Sequence, residues 1–156
     1  MARAGFWAVE SAPIRFGRDG RWYSGDDIIA NPRIDALFSR HLRRAADGSF
    51  WLEIADERAC VEIEDTPFVV RHVDPEPEGG FALLLNDGTR EPLPAEGLEL
   101  GSDGVLRCSI KNGLYQARFL RAAQIELLNE AQIVDNETFV PGPRGSRVLL
   151  KGPETS

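Results

Sequence analysis

Apolar and polar residues alternate over much of the chain, which is the pattern of half-buried β-strands. The alternation predicts strands over residues 50–54 and 59–63, and Phe68 begins a third after a break at Thr66-Pro67. Asp-Gly pairs separate many of these segments and accommodate the positive φ angles of tight turns, so each predicts a hairpin reversal. The pairs are Asp19-Gly20, Asp47-Gly48, Asp87-Gly88 and Asp103-Gly104.

Two stretches show helical spacing instead. Asn31-Pro32 supplies an N-cap and a first-turn proline, and apolar residues then recur from Ile34 through Leu42 to Ala45. This predicts a helix whose C-terminal end carries Arg43 and neighbouring arginines. A second helix is predicted from Leu120 to Ala131. The residues expected in the core are Phe38, Leu52, Ile63, Ile110, Phe119 and Leu127.

The segment 74–80 holds two Pro, two Gly and three acidic residues, which is typical of a connector. We therefore predict an N-terminal α+β domain over 1–73, a connector over 74–80, a C-terminal α+β domain over 81–150 and a loose tail over 151–156. The halves use similar strand and turn patterns, so we expect two similar small domains, each an antiparallel sheet with a covering helix.

Charge and composition narrow the possible partners. The 156 residues carry a formal net charge of −7, which disfavours binding to nucleic acid. The longest apolar runs are too short for a membrane span of ~20 residues. Met1 to Glu10 lacks the features of a secretory signal, so we expect a cytoplasmic protein. Cys60 and Cys108 have no neighbouring Cys or His at metal-ligand spacing and are expected to be buried.

A hairpin with Asn112-Gly113 at its tip can be paired by counting outward from the turn. Arg107 then lies directly opposite Arg118 on a polar face that also carries Lys111. Like charges in this position repel, so an anion or an acidic side chain nearby would stabilise the pair. The opposite face is expected in the core, and its residues are Leu106, Cys108, Ile110, Tyr115, Ala117 and Phe119.

The first half carries acidic residues at the matching positions, among them Glu62 and Glu64. One interpretation is a set of ion pairs between this acidic face and the basic face of the second half. The alternative is that the basic groups bind an anionic small molecule, because arginine matches carboxylate and phosphate geometry. Arg118 is the first candidate for that role, and Arg58 is the second.

Familiar catalytic motifs do not occur in this sequence. His41 and His72 lie far apart in sequence, and Glu62 with Glu64 supplies too few oxygens for a hard cation. Trp22 and Phe68 could stack on a base or a sugar, although aromatic residues near strand turns usually belong to the core. We therefore predict no catalytic residue, metal or cofactor, and a non-catalytic role is favoured over an enzyme of unrecognised type.

The most specific motif in the sequence is Val61-Glu62-Ile63-Glu64-Asp65-Thr66-Pro67-Phe68, and further characteristic stretches include Asp47 to Leu52 and Leu114 to Phe119. Together these stretches resemble a bacterial family, the domain of unknown function 1285 family. The resemblance implies a two-domain α+β fold with a duplicated core and a second domain like pleckstrin-homology folds. It also implies a ligand pocket at the domain interface, a nucleotide-like ligand and a role in signal transduction.

Two functional hypotheses follow. The first is a ligand-sensing or regulatory module that binds an anionic, nucleotide-like small molecule. The second is a protein-interaction module that uses an exposed sheet edge, with the charges between its domains paired to each other. The candidate ligand-binding residues are Arg118, Arg58, Arg107, Lys111, Glu62, Glu64, Phe68 and Trp22.

Overall fold

The structure, a computed structural model, describes residues 13–153 and divides into two compact units, Met1–Pro67 and Phe68–Ser156. Within the described residues the chain forms fifteen β-strands and two α-helices, so the fold is α+β and rich in β-structure. The predictions made for residues 1–12 and 154–156 lie outside this range.

Residues 13–67 form a six-stranded sheet in the order β3-β2-β1-β6-β5-β4. Most neighbours are antiparallel, but β1 and β6 run parallel, with Ile14 opposite Val61. The all-antiparallel sheet predicted for this half is therefore wrong at its centre, because the chain returns to its first strand only after three further hairpins and a helix. The strands are β1 (Ile14–Phe16), β2 (Trp22–Ser24), β3 (Asp27–Ile28), β4 (Leu42–Arg44), β5 (Phe50–Ile54) and β6 (Glu57–Ile63).

The first helix, α1 (Pro32–Arg40), begins as predicted but ends earlier. The Asn31 side chain accepts a hydrogen bond from the Arg33 backbone N–H, and this satisfies a donor that the helix leaves unpaired. Residues 42–44 form β4 instead of a last helical turn, because Leu42 pairs with Leu52 across the sheet and is buried there. Helical spacing at Leu42 therefore misled the prediction.

Residues 68–153 form a nine-stranded sheet in the order β13-β14-β15-β10-β11-β12-β7-β8-β9. Two of its pairings are parallel, β7 with β12 and β10 with β15. The strands are β7 (Phe68–Pro75), β8 (Phe81–Leu85), β9 (Arg90–Pro92), β10 (Leu98–Leu100), β11 (Leu106–Ile110), β12 (Tyr115–Phe119), β13 (Gln132–Val134), β14 (Glu137–Pro141) and β15 (Arg147–Lys151).

The predicted connector is instead a hairpin turn inside the second unit. Pro75 pairs with Phe81, and the two strands continue in antiparallel register away from the turn. Phe68 also pairs with Ala117, so the strand assigned to the first domain belongs to the second. The division lies between Pro67 and Phe68, at the Thr66-Pro67 break. Proline and glycine at 75–80 shape a tight turn here instead of a linker.

The second helix, α2 (Arg121–Leu128), is followed by a hairpin that the sequence reading missed. The predicted helix ran to Ala131, but the chain turns after Leu128 and enters β13. Asp135 and Asn136 both have positive φ angles and form the two-residue turn between β13 and β14. Lys151, placed in the tail by the sequence, ends β15.

All four Asp-Gly pairs lie in hairpin turns, as predicted, and the four turns share one hydrogen-bond pattern. In each, the aspartate Oδ1 accepts from the backbone N–H two residues later, at 2.9 to 3.1 Å. The glycine has a positive φ, and its N–H donates to the carbonyl three residues before it. The turns fix strand register locally.

The predicted core residues are buried, apart from Ile63 and Tyr115, which are half-buried. In the first unit the aromatic ring of Trp22 packs edge-on against Phe38 and at a tilt against Phe16, with centroids 5.4 and 4.9 Å apart. The Trp22 Nε1–H donates to the buried Ser39 Oγ at 3.0 Å, so its polar atom is also satisfied.

Candidate functional site

A cavity of about 380 Å³ lies in the second unit, where the start of α2 faces the turn between β10 and β11. Ligand-binding clefts usually have volumes of ~300 to 1,000 Å³, so the space suits a small molecule or one part of a larger one. The residues that line the cavity are Gly104, Val105, Arg118, Phe119, Arg121, Gln124 and Ile125.

Gln124 fixes the walls of this cavity relative to each other. Its Nε2 donates to the Gly104 carbonyl at 2.8 Å, and its Oε1 accepts from the Leu106 backbone N–H at 2.9 Å. The Gln124 side chain of α2 therefore binds the neighbouring turn through both polar atoms of its amide group. Phe119 is buried behind the cavity, and Ile125 is 50% exposed beside it. The cavity is thus preformed and has an apolar wall.

Two arginines contribute the positive charge of this cavity. Arg118 ends up on the wall through its position in β12, where it is half-buried and pairs with Arg107 as predicted. Arg121 is exposed in the first turn of α2, which contains no acidic residue. A cation there opposes the helix dipole by ~0.3 to 1 kcal/mol, and a bound anion would relieve this repulsion.

Arg107 is engaged by an acidic neighbour in the same unit. Its guanidinium Nη2 lies 2.8 Å from the Asp103 Oδ2, and a second contact joins Nη1 to Oδ1 at 3.2 Å. The hydrogen bonds from Arg107 and from the Val105 backbone lower the pKa of Asp103 to about 2. The repulsion expected between Arg107 and Arg118 is thus partly offset by the Asp-Gly turn beside them.

Lys111 and Phe68, both predicted as ligand-binding residues, lie together elsewhere in the second unit. The Lys111 Nζ is 2.9 Å from the Asp87 Oδ2 and 5.2 Å from the centre of the Phe68 ring. Asp87 is buried, and its Oδ1 accepts from the Thr89 Oγ1 at 2.6 Å. Lys111 therefore neutralises a buried carboxylate, and the sequence reading recognised Asp87 only as a turn residue.

The burial of Asp87 raises its pKa, but hydrogen bonds from Lys111 and Thr89 lower it, and the lowering is larger. The carboxylate is therefore ionised at neutral pH and forms a charged pair with the Lys111 ammonium. Phe68 is buried and also contacts Tyr115 edge-on, with ring centroids 5.2 Å apart. These contacts form a structural network, whose members are Phe68, Asp87, Thr89, Lys111 and Tyr115.

The candidates in the first unit do not form a common site. Trp22 is fully buried in the core, which rules out its predicted stacking on a ligand. The Arg58 guanidinium lies 4.4 Å from the centre of the Trp51 ring and 3.3 Å from Glu53. Arg58 is thus held on its own sheet by a cation–π contact and an ion pair.

The acidic face of the first unit has basic partners within that unit. Glu64 forms an ion pair with Arg15 at 3.0 Å and accepts a hydrogen bond from the Arg18 backbone N–H at 2.8 Å. Glu62 is exposed and lies opposite Arg15 in the parallel pairing of β1 and β6. The ion pairs expected between the two halves stay a prediction.

The cysteines differ from each other. Cys108 is buried as predicted, and burial raises its pKa to about 12, whereas Cys60 is exposed on β6. The expectation that both are buried is wrong for Cys60, because strand alternation turns it to the polar face. From residue 13 to residue 153, no group of three or more His, Cys, Asp or Glu side chains is arranged to hold a metal ion.

Sequence reasoning found Arg118 and missed Arg121 and Gln124. A usable signal was present, since Arg118 and Arg121 flank the junction between a strand and a helix and are close in sequence. The arrangement offers two guanidinium groups, a fixed amide and an apolar wall. These groups bind negative charge and ring surfaces.

Comparisons with known proteins place the fold. No family model and no curated protein sequence matches the chain. A DUF1285 family protein from Silicibacter pomeroyi DSS-3 has a similar structure, with a TM-score of 0.71 and 19% identity over 90% of this chain and 79% of that one. A DUF1285 family protein from Shewanella baltica OS155 matches with a TM-score of 0.59 and 18% identity, over 77% of this chain and 93% of the other.

Between residues 13 and 153 there is no helix long and apolar enough to cross a lipid bilayer. Both similar structures carry the family name that the run from Val61 to Phe68 and its companion stretches indicated. The fold of the chain is therefore similar to that of DUF1285 family proteins.

Proposed function

We propose that the chain is a non-catalytic ligand-sensing module whose second unit binds a small anionic molecule in the cavity beside α2. The observation that carries the proposal is the pair of arginines, Arg118 and Arg121, on the wall of one preformed cavity. The ligand class is a phosphate-bearing molecule with an apolar or aromatic part, as in a nucleotide.

The chemistry of the cavity supports this ligand class. Arginine presents paired N–H donors that match the oxygens of a phosphate or carboxylate, and charge-assisted hydrogen bonds of this kind contribute ~1.5 to 3 kcal/mol. An anion there would also offset the repulsion between Arg118 and Arg107 across the strand pair. The half-exposed Ile125 supplies a surface on which a ring could rest.

The strand order supports a related proposal about origin. In the described part of the chain, the order β9-β8-β7-β12-β11-β10 of the second unit repeats β3-β2-β1-β6-β5-β4 of the first. In the first unit β6 pairs in parallel with β1, and in the second unit β12 pairs in parallel with β7. We infer that the two units descend from a duplicated core, within the DUF1285 family. The pleckstrin-homology-like character of the second unit stays a prediction.

A thermal-unfolding series at low salt tests the ligand proposal, with sodium phosphate, adenosine monophosphate and adenosine as probes. A ligand at a hundred times its Kd adds ~2.7 kcal/mol to stability, or ~5 to 10 °C for a chain of this size. We expect the monophosphate to raise the Tm most, phosphate to raise it less, and neutral adenosine to leave it unchanged. Added salt should weaken the effect.

Arg121→Gln and Arg118→Gln should each reduce the affinity for the monophosphate about tenfold or more. Arg121 is the cleaner change, because it is exposed whereas Arg118 has further contacts of its own. The matched control is Arg33→Gln, an exposed arginine in the first turn of α1 that does not line this cavity. If none of the probes stabilises the protein, or if Arg121→Gln binds as tightly as Arg33→Gln, the proposal is wrong.

A further inference from the structure

The strands at the edges of the two sheets are protected unequally. An open edge presents unpaired backbone N–H and C=O groups to other chains, and proteins usually guard it with charged side chains or proline. In the part of the chain that the structure describes, the edge strands are β3, β4, β9 and β13. Asp27 lies on β3, Arg43 and Arg44 lie on β4, and Arg90, Glu91 and Pro92 lie on β9.

The strand β13 has none of this protection. Its residues Gln132, Ile133 and Val134 are uncharged, and the Ile133 side chain is 76% exposed. Val134 pairs with Glu137 across a two-residue turn, which makes that pair a hydrogen-bonded one. Pairs alternate along an antiparallel ladder, so the N–H and C=O of Ile133 point away from β14, toward the open edge.

Ile133 also ends a row of paired side chains that begins in the core and is apolar except at Thr138. Cross-strand pairing joins Leu98 to Leu150, Leu150 to Thr138, and Thr138 to Ile133. Leu98 and Leu150 are buried, whereas Ile133 at the end of the row is open. A further strand beside β13 with an apolar residue opposite Ile133 would therefore extend the row by one more pair.

The charges next to β13 define its partner. Glu130 precedes the strand, Asp135 lies in its turn, and Glu137 follows, and all three are exposed. A second copy of this chain would bring the same acidic groups together, and each copy has a formal net charge of −7. An extended segment with basic side chains on both sides of an apolar centre would instead be attracted.

We propose that β13 is a docking edge for an extended basic peptide, which adds to the sheet of the second unit as an antiparallel strand opposite Ile133. The backbone bonds of Ile133 hold the added strand, its side chain pairs with the apolar centre of the peptide, and the acidic neighbours select the basic flanks. This site is separate from the anion cavity beside α2.

A fluorescent peptide of sequence Lys-Thr-Val-Ile-Val-Thr-Lys tests the proposal by anisotropy, with Glu-Thr-Val-Ile-Val-Thr-Glu as its charge control. We expect the basic peptide to bind at least tenfold more tightly than the acidic one. Hydrogen exchange followed by NMR should show that the Ile133 amide becomes protected when the basic peptide binds. That protection distinguishes strand addition from loose electrostatic binding.

The variant Ile133→Asp should weaken the binding of the basic peptide more than tenfold. It should leave the thermal midpoint of the protein unchanged, because the Ile133 side chain is exposed. The matched control is Leu114→Asp, since Leu114 is 56% exposed at the tip of another hairpin. Equal binding by the two variants would overturn the proposal. It would also be overturned by the absence of binding, or by sedimentation showing that Ile133 instead mediates self-association of the chain.

Discussion

Replacing Lys111 with Met should destabilise the second unit, because the change leaves the Asp87 carboxylate buried without its ammonium partner. The side chains of Lys111 and Asp87 are 25% and 6% exposed, and their charged atoms are 2.9 Å apart. Removing one partner of a buried pair costs ~3 to 5 kcal/mol. Because Lys111 keeps some contact with water, we expect the lower end, about 3 kcal/mol, or ~6 to 12 °C in Tm.

The pH dependence separates this loss from an ordinary packing defect. In the native protein the pKa of Asp87 lies below its usual value of 3.8, so the pair stabilises the fold above pH 3.8 and loses its effect as the pH falls through the lowered pKa. Without Lys111, burial moves the Asp87 pKa upward. The difference in unfolding free energy between native protein and variant should therefore be largest at pH 7 and shrink toward pH 3.

Urea unfolding followed by circular dichroism at pH 7, 5 and 3.5 measures this difference. Lys151→Met is the matched control, since Lys151 is the other lysine of the chain and is exposed. Lys111 has a positive φ of 52°, and Met bears the same backbone strain, so the comparison isolates the ammonium group. An effect equal to that of Lys151→Met, or a difference that stays constant with pH, would refute the reasoning.

Phe38→Ala should cost ~3 to 5 kcal/mol in urea unfolding, because the ring is fully buried in the first unit. A thiol reagent applied to the native protein should label Cys60 and spare the buried Cys108 until the chain unfolds. Gly80→Ala should destabilise more than Gly104→Ala; both glycines have positive φ, but only at Gly80 would the new Cβ meet backbone atoms, the nearest at 2.8 Å. Equal losses at the two glycines would contradict this steric explanation.

Local features of the fold could be predicted from the sequence, and distant pairings could not. The Asp-Gly turns and the register of the hairpin at Asn112-Gly113 follow from backbone preferences within a few residues. The pairing of Phe68 with Ala117 joins residues far apart, and no local signal identifies the sheet that receives Phe68. The end of α1 at Arg40 could not be predicted for a similar reason, because Leu42 fits both helical spacing and strand pairing.

In the candidate site, too, local features could be predicted from the sequence and distant contacts could not. Arg118 could be placed opposite Arg107 by counting from a turn, and its half-buried position on a polar face follows from strand alternation. The partners of Lys111 could not be predicted, since Asp87 lies in a different hairpin and only the sheet order brings the two residues together. Trp22 illustrates the opposite error, because an aromatic residue beside a turn looks available for stacking until its packing is known.

One parallel pairing in each sheet has a consequence for synthesis on the ribosome. Ile14 pairs with Val61 in the first unit, and Phe68 pairs with Ala117 in the second, so each of these contacts joins strands from distant parts of its unit. Hairpins can form as soon as they leave the exit tunnel, but the first sheet closes only after β6 has emerged. Until β6 has emerged, β1 presents an open edge to the surroundings of the nascent chain. A chaperone would act during this interval.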